Sequence, residues 1–162
     1  MTLDRLLSRL YIGDARDACD VDALKERGIT AVVCVAEELE REEDFVFAGE
    51  RARPPGGNGI ERQHFPLHDR DPARLSPEGA RRAVEAYRAS VTAVVDRVRG
   101  GETVLVHCQY GVSRSTTVCV GAVRQLASLS WNDALVRVTD AHPDGRMLNL
   151  DLMGYMMDRS GL

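Results

Sequence analysis

The spacing of apolar and polar residues divides the chain into short strands and longer helical segments. Residues 10–13 form a short apolar strand that ends at a glycine, and residues 29–35 form a continuous, largely β-branched run. An uninterrupted run of this kind is typical of a central parallel strand that is buried on both faces. Residues 60–65 alternate apolar and polar positions, which predicts an exposed strand, and a further apolar run covers residues 103–107.

Helical patterns stand between these strands. A first short helix is predicted from Asp20, with Gly28 at the position of a C-terminal cap. Ser76 followed by Pro77 combines an N-cap with a proline at the first helical position, and it starts a longer helix that ends at Gly100. The buried stripe of that helix has apolar residues at helical spacing: Ala80, Val84, Tyr87, Val91, Val94 and Val98.

The second half of the chain continues with helices. The long helix is predicted to enter the strand at residues 103–107 through a right-handed crossover. Further helices are predicted at residues 116–126, after a capping box at residues 130–133, and at residues 149–159. Strands that alternate with helices predict a single α/β domain over residues 1–162, with a twisted, mostly parallel sheet of four or five strands and helices on both faces.

The stretch between the second and third strands has the least regular pattern. Residues 37–53 are charged and only loosely periodic, and we predict a surface helix there. Residues 53–59 are rich in proline and glycine, which predicts a flexible loop. For the acidic run in this stretch a solvated face is the favoured interpretation, and a binding role is the alternative. The run comprises Glu37, Glu38, Glu40, Glu42, Glu43 and Asp44.

Composition and charge narrow the possible functions. The chain has 162 residues, enough for one domain with its own core, and it carries 21 basic against 25 acidic residues. This balance argues against a nucleic acid or an anionic membrane as a partner held by bulk charge. Residues 1–10 carry charges among their leucines and lack the apolar core of a signal peptide, and no apolar run reaches the roughly 18 residues of a membrane span. We therefore expect neither a nucleic-acid nor a membrane partner.

The cysteines indicate a reduced environment. Cys19, Cys34, Cys108 and Cys119 have neither metal-ligand spacing nor the density of a disulfide framework. We therefore expect a cytoplasmic location. We also expect no metal and no cofactor. A protective disulfide between Cys34 and Cys108 is a less favoured alternative.

Residues 104–116 carry the densest chemistry in the sequence. An apolar run ends just before Cys108, a short loop follows, and a helical segment begins after Arg114. Backbone N–H groups converge in such a loop, and the helix N-terminus adds partial positive charge, which suits an anion. The same field favours the thiolate form of Cys108, and Arg114 offers a fork for two phosphate oxygens. The alternative is a structural cysteine beside a structural arginine. It does not explain why four further residues also stand where an anion-binding loop would use them, namely His107, Gly111, Ser113 and Ser115.

Residues 107–115 read His-Cys-Gln-Tyr-Gly-Val-Ser-Arg-Ser, which resembles the signature loop of the cysteine-dependent protein tyrosine phosphatase superfamily. The Gly-x-Ser-Arg-Ser ending resembles the dual-specificity branch of that superfamily. The opening of the chain, with Leu-Tyr-Ile-Gly, a short helix and an apolar strand, is similar to the same branch, and the resemblance covers residues 5–157. It implies an α/β phosphatase domain that hydrolyses phosphate monoesters without a metal.

The loop chemistry and the resemblance together suggest roles for individual residues. Cys108 is the expected nucleophile, which attacks phosphorus and forms a phosphocysteine intermediate. Ser115 is expected to donate to the cysteine sulfur and can also cap the helix, and His107 is expected to brace the loop and tune the thiolate. The phosphate oxygens are expected to bind the residues after the nucleophile: Gln109, Tyr110, Gly111, Val112, Ser113 and Arg114.

A proton donor for the leaving group is expected upstream, on a mobile loop. The family's pattern, an apolar residue, proline, two residues and then aspartate, matches Asp69, and we favour this residue. Asp71, which precedes Pro72, is the alternative general acid. Both carboxylates can instead serve only as loop and capping residues.

The favoured function is a phosphoprotein phosphatase that acts on phosphotyrosine and also on phosphoserine or phosphothreonine. A phosphoinositide or RNA 5′-phosphate phosphatase and a non-catalytic phosphate-binding module are the alternatives. Related lipid phosphatases usually carry lysines inside the loop, whereas the loop side chains between the cysteine and the arginine are uncharged here. None of the four tyrosines lies in a segment that predicts a pocket wall, so we expect a shallow cleft with its rim at residues 69–74 and 54–59.

Overall fold

The computed structural model describes residues 3–47, 50–51 and 58–162. Within these residues the chain forms seven β-strands and five α-helices, connected by loops and 3₁₀ turns. The strands are β1 (Asp4–Leu7), β2 (Leu10–Gly13), β3 (Ala31–Ala36), β4 (Val46–Phe47), β5 (Glu50–Arg51), β6 (Glu61–Leu67) and β7 (Val104–His107). The helices are α1 (Val21–Glu26), α2 (Pro77–Arg99), α3 (Arg114–Leu126), α4 (Trp131–Ala141) and α5 (Leu150–Arg159).

Five of these strands form one sheet in the order β1-β2-β7-β3-β6, which places β7 at the centre. Strands β2, β7, β3 and β6 run parallel, and β1 pairs antiparallel with β2 at one edge. His107, the last residue of β7, is in register with Gly13 of β2 and with Cys34 of β3. Because parallel strands end at the same edge of a sheet, the segments that follow these three strands meet there. The predicted, mostly parallel sheet is confirmed.

Helices cover both faces of this sheet. Leu105 of β7 and Val32 of β3 face one side, where they pack with Leu24 of α1. Val104 and Val106 face the other side and join the larger core, to which α2, α3, α4 and α5 all contribute. This alternation is the two-residue period of a β-strand, and it explains why the central strands are apolar without interruption.

Helices α2 and α3 pack closely, and this contact sets the position of α3 behind the end of β7. Tyr87 of α2 is fully buried and donates a hydrogen bond to the backbone carbonyl of Thr117 at 3.1 Å. Gly121 of α3 faces the same ring, and a Cβ atom there would stand 2.5 Å from the Tyr87 hydroxyl oxygen. A side chain at residue 121 would therefore force the two helices apart.

The surface helix predicted over residues 37–53 is wrong for the described part of that stretch. Glu42–Asp44 form a single 3₁₀ turn, and β4 and β5 pair antiparallel. The charged stretch has no apolar stripe at helical spacing that could hold a helix on the core; Leu39 and Phe45 are buried as separate anchors instead. The loop predicted at residues 53–59 and the cleft rim predicted at residues 54–59 fall mostly within residues 52–57, which lie outside the described residues.

None of the helices in the described part of the chain combines the length and the apolar character that crossing a bilayer requires.

Candidate active site

The predicted strand, loop and helix meet at the carboxyl edge of the sheet. Strand β7 ends at His107, Cys108 opens the loop, and α3 begins at Arg114 with Ser113 at its N-cap position. Cys108 is only 2% exposed, and its Sγ lies 3.3 Å from the Oγ of Ser115. The Ser115 hydroxyl is therefore within hydrogen-bonding distance of the sulfur.

The backbone of this loop is held from behind through its carbonyl groups. Because the C=O and N–H of a trans peptide point in opposite directions, an outward-anchored carbonyl turns the next N–H towards the opposite side. Several amides turned in this way form a cradle for an anion. The anchoring bonds run from His107 Nδ1 to Cys108 O (3.0 Å), from Ala15 N to Gln109 O (3.2 Å), from His142 Nε2 to Gly111 O (2.5 Å), from Thr116 Oγ1 to Val112 O (2.9 Å) and from Thr117 Oγ1 to Ser113 O (2.9 Å).

Gly111 is required by the conformation of the loop. Its φ is +69°, in the left-handed region that residues with a Cβ atom rarely adopt. A Cβ atom at this position would also stand 2.9 Å from the carbonyl oxygen of Gly13, at the end of the neighbouring strand β2. The glycine thus lets the loop pack directly against the β2 terminus.

Arg114 is 7% exposed and is held by an acidic residue. Its Nη1 and Nη2 each donate to one carboxylate oxygen of Glu38, at 2.5 and 2.6 Å, and Nη1 also donates to the carbonyl oxygen of Leu67 at 3.1 Å. A guanidinium has five N–H groups, so the Nε–H and the second Nη2–H have no partner within the described residues. This free edge of the fork can engage two oxygens of a phosphate.

The interpretation of the acidic run as a solvated face is incomplete for Glu38, whose side chain is 49% exposed but also binds Arg114. This residue follows the end of β3, the strand beside β7, and the sheet brings it to Arg114 although 76 positions separate the two residues. The bonds from Arg114 lower the pKa of Glu38 below its ordinary 4.5, although burial opposes the shift. Burial by itself lowers the pKa of Arg114, but the bonds to Glu38 bring it above its ordinary value. Both groups are therefore charged at neutral pH.

His107 is completely buried, and burial lowers the pKa of its imidazole to about 4, so the ring is neutral at physiological pH. Because a carbonyl oxygen can only accept, Nδ1 carries the proton and donates to the Cys108 carbonyl. The ring lies 6.1 Å from that of Phe45, centroid to centroid. His107 thus contacts the nucleophile through its backbone.

The other three cysteines differ from Cys108 in their surroundings. Burial raises the pKa of Cys19 and of Cys34 to about 11, and it also raises the pKa of Cys119, so these groups stay protonated at neutral pH. All four are free thiols in this structure. The Sγ of Cys34 lies 3.7 Å from the carbonyl oxygen of Leu39.

The two candidate proton donors lie on the loop between β6 and α2. Asp69 is exposed, and its charge interacts with that of Arg114. Burial lowers the pKa of the Arg114 guanidinium, whereas Glu38 and, to a smaller extent, Asp69 raise it. Asp71 accepts a hydrogen bond from the N–H of Ala73 at 2.9 Å and caps a 3₁₀ turn. The structure therefore brings Asp69 into the field of the loop and gives Asp71 a capping contact.

The N-terminus of α5 adjoins the nucleophile loop, the segment over residues 108–113 between β7 and α3. The side chain of Asn149 caps α5, and its backbone N–H donates to the Oγ of Ser113 at 2.8 Å. This contact joins the last helix to the loop. An open cavity of about 360 Å³ lies between this helix end and the loop after β6, and it is lined by Arg70, Asp71, Arg74, Leu75, Asn149 and Asp151.

Three of the residues that support the loop were missed by sequence reasoning. Glu38 stood out only as part of an acidic run, although its place just after a central strand was a usable clue. His142 and Asp4 were not singled out, because they lie far from the loop in sequence.

Known proteins resemble this chain in sequence and in structure. Human dual specificity protein phosphatase 6 is 30% identical over 156 residues, which are 94% of this chain but 35% of that protein. The crystal structure of human DUSP28 superimposes with a TM-score of 0.74 at 24% identity, covering 98% of this chain and 92% of that one. A mouse putative dual specificity phosphatase complexed with zinc tungstate gives a TM-score of 0.75 at 25% identity, covering 97% and 85%.

The family match extends over nearly all of the described elements. Residues 10–159 match the family model for "Dual specificity phosphatase, catalytic domain", a span that includes the loop, Glu38 and both candidate proton donors. By this match, and with the five-stranded sheet and the cysteine loop in place, the chain belongs to the dual-specificity phosphatase catalytic-domain family.

Proposed function

We propose that this protein is a cysteine-dependent, metal-independent protein phosphatase that hydrolyses phosphotyrosine and also phosphoserine or phosphothreonine. One observation carries the proposal: a buried cysteine, the free edge of a buried arginine and a loop with anchored carbonyls lie within residues 108–115. Membership of the family supports it. The chain spans about a third of the length of the human relative, so the activity is proposed for this domain.

Binding of the phosphate rests on backbone and arginine donors. The oxygens bind the amides of residues 109–113 and the free N–H groups of Arg114, beside the buried side chains of Cys108 and Ser115. Such donors are fixed before the substrate arrives, so little reorganisation accompanies the reaction. Amides and guanidinium together complement the phosphoryl oxygens, and the chemistry requires no metal.

Hydrolysis proceeds in two steps. The Cys108 thiolate attacks phosphorus in line with the ester oxygen; the S–P bond forms as the P–O bond to the substrate breaks, and Asp69 gives its proton to the departing oxygen. Water then attacks the phosphocysteine, the Asp69 carboxylate takes up its proton, and the sulfur leaves as thiolate. The Ser115 hydroxyl, 3.3 Å from Sγ, stabilises the sulfur as it leaves.

A phosphorylated side chain of a protein is the proposed substrate. Gln109, Tyr110, Val112 and Ser113 carry no charge, which suits one phosphate monoester better than the several phosphates of an inositol headgroup. Tyr110 is 75% exposed, which fits an open, shallow cleft that also admits short phosphoserine and phosphothreonine side chains. The mouse relative was crystallised with zinc tungstate, and an oxyanion in that protein supports an oxyanion-binding loop in this one.

A cytoplasmic location and a phosphoprotein partner belong to the same proposal. A thiolate nucleophile is lost to oxidation outside a reducing compartment, which favours the cytoplasm. The chain carries 21 basic against 25 acidic residues, a balance that gives no bulk attraction to nucleic acid or to an anionic membrane.

The proposal is tested by the variant Cys108→Ser. Turnover of an aryl phosphate should fall below detection, because serine is not ionised at neutral pH, whereas tungstate binding by calorimetry should persist, because the amides and Arg114 remain. Cys19→Ser, which changes a thiol outside the loop, is the matched control and should retain activity. Substantial turnover by Cys108→Ser would remove the nucleophile assignment, and tungstate binding by a wild type without turnover would leave a phosphate-binding module.

The substrate class is tested with matched substrates. The values of kcat/KM should be highest for a phosphotyrosine peptide, measurable for phosphothreonine and phosphoserine peptides, and low for a phosphoinositide or an RNA 5′-phosphate. A preference for the lipid or the RNA would overturn the substrate class and leave the mechanism in place.

A further inference from the structure

A buried histidine lies behind the nucleophile loop and bonds to it directly. His142 follows α4, and its side chain is 0% exposed. Its Nε2 lies 2.5 Å from the carbonyl oxygen of Gly111, and its Nδ1 lies 2.7 Å from Oδ2 of Asp4, at the start of β1. Both ring nitrogens therefore have a partner, and one of these partners belongs to the loop.

Both partners of His142 are hydrogen-bond acceptors. A carbonyl oxygen only accepts, and an ionised carboxylate only accepts, so two short bonds require an N–H on each ring nitrogen. A ring with two N–H groups is an imidazolium, and the Asp4 carboxylate supplies the opposite charge. The Asp4 side chain is 37% exposed, so its carboxylate keeps part of its hydration.

The bond to Gly111 determines which way one peptide group of the loop faces. With the Gly111 carbonyl directed at His142, the N–H of Val112 in the same peptide group points the opposite way. Glycine tolerates a wide range of backbone angles, so without the clamp this peptide group can rotate. A rotated peptide would present a carbonyl oxygen to the phosphate, where it would repel the anion.

We propose that His142 is a positioning residue: as an imidazolium paired with Asp4, it holds the Gly111 carbonyl outward and so keeps the loop in its anion-binding form. The inference rests on the proposed function of the loop and adds a specific support to it. It also links anion binding to the first strand, since Asp4 lies 138 positions from His142.

Three variants separate the hydrogen bond from the charge. His142→Ala removes the clamp. His142→Gln is expected to keep an uncharged N–H donor for the Gly111 carbonyl. Asp4→Asn leaves both bonds possible with a neutral ring, since the asparagine amide can donate to Nδ1 while Nε2–H still donates to the loop. Tyr87→Phe is the control, because it removes another buried bond, 3.1 Å to the Thr117 carbonyl, without touching the loop.

The readouts are the dissociation constant for tungstate, KM and kcat for an aryl phosphate, and the protonation of the two ring nitrogens by ¹⁵N NMR. We expect His142→Ala to weaken tungstate binding and raise KM by about 10-fold or more, and His142→Gln and Asp4→Asn to show smaller losses. Tyr87→Phe should lower Tm and leave tungstate binding unchanged. In the wild type both nitrogens of His142 should carry protons, and in Asp4→Asn only one.

Clear outcomes would overturn the inference. If His142→Ala binds tungstate as tightly as the wild type, the clamp does not act on the loop. If His142→Ala does not fold, the other two variants decide. Unchanged tungstate binding in both His142→Gln and Asp4→Asn would exclude the charged clamp, and so would a wild-type His142 ring that carries a single proton. A wild type that neither binds tungstate nor hydrolyses aryl phosphate would instead refute the proposed function itself, which distinguishes the two failures.

Discussion

The nucleophile loop and the loop that carries Asp69 are built in opposite ways. In the first, Cys108, Arg114 and Ser115 are 2%, 7% and 0% exposed, and nearly every backbone carbonyl has a donor behind it. In the second, residues 68–70 are exposed, and the side-chain contacts include a surface pair between His68 and Glu37 and the cap formed by Asp71.

This difference corresponds to two demands of the proposed chemistry. The phosphoryl group is the same in every substrate, so the donors that stabilise it gain from being fixed in advance. The leaving group differs between tyrosine, serine and threonine, so its proton donor gains from an exposed position on a less constrained segment. The contrast predicts that changes in the first loop affect all substrates alike, whereas changes in the second affect them according to the leaving group.

The largest effect in this comparison is expected from Arg114→Lys. A lysine offers one point charge in place of the fork that binds Glu38 and two phosphate oxygens, so kcat/KM should fall by about a thousandfold or more for every substrate. Tungstate binding should weaken in parallel, and Arg70→Lys, an exposed arginine on the other loop, is the control. Kinetics equal to the wild type would exclude the role of Arg114 in binding the phosphate.

A smaller and selective effect is expected from Asp69→Asn. Loss of the proton donor should lower kcat by about 10²- to 10³-fold for alkyl phosphates, whose leaving groups are poor, and much less for nitrophenyl phosphate. The alkaline limb of the pH–rate profile should flatten. Asp71→Asn is the matched change two residues away; asparagine keeps the oxygen that caps the 3₁₀ turn, so activity and stability should change little. If Asp71→Asn shows the larger leaving-group dependence, the two assignments exchange.

The smallest effect is expected from Glu38→Gln, which keeps an oxygen for Arg114 but removes the charge. Phosphate binding should weaken by about 10-fold or less, uniformly across substrates, because the guanidinium is less firmly oriented. Glu37→Gln, which affects only the surface pair with His68, is the control.

The same variant has a pH signature. Because folding lowers the pKa of Glu38 below 4.5, the carboxylate adds stability above that pH, and the contribution disappears as the pH falls through the lowered value. The difference in Tm between the wild type and Glu38→Gln should therefore be largest at neutral pH and shrink in acid. A difference that does not change with pH would show that the charge of Glu38 does not stabilise the fold.

The sequence predicted most of the elements because their signals are local. Ser76, Ser130 and Asn149 accept hydrogen bonds at the starts of α2, α4 and α5, and the uninterrupted apolar runs became the interior strands. The surface helix over residues 37–53 failed for the opposite reason. That stretch has no repeating apolar face, and its shape follows from single anchors such as Phe45 and from one ion pair to a distant arginine.

What the sequence by itself determined is the nucleophile loop, because cysteine, glycine, arginine and serine stand within residues 108–115 and a strand, a tight turn and a helix form from neighbouring residues. Only the tertiary structure decided what holds that loop. Glu38 reaches Arg114 because β3 lies beside β7, and His142 reaches Gly111 because α4 packs against α3 at the same edge of the sheet. Contacts of this kind depend on the order of strands and the packing of helices, which no spacing of residues along the chain records.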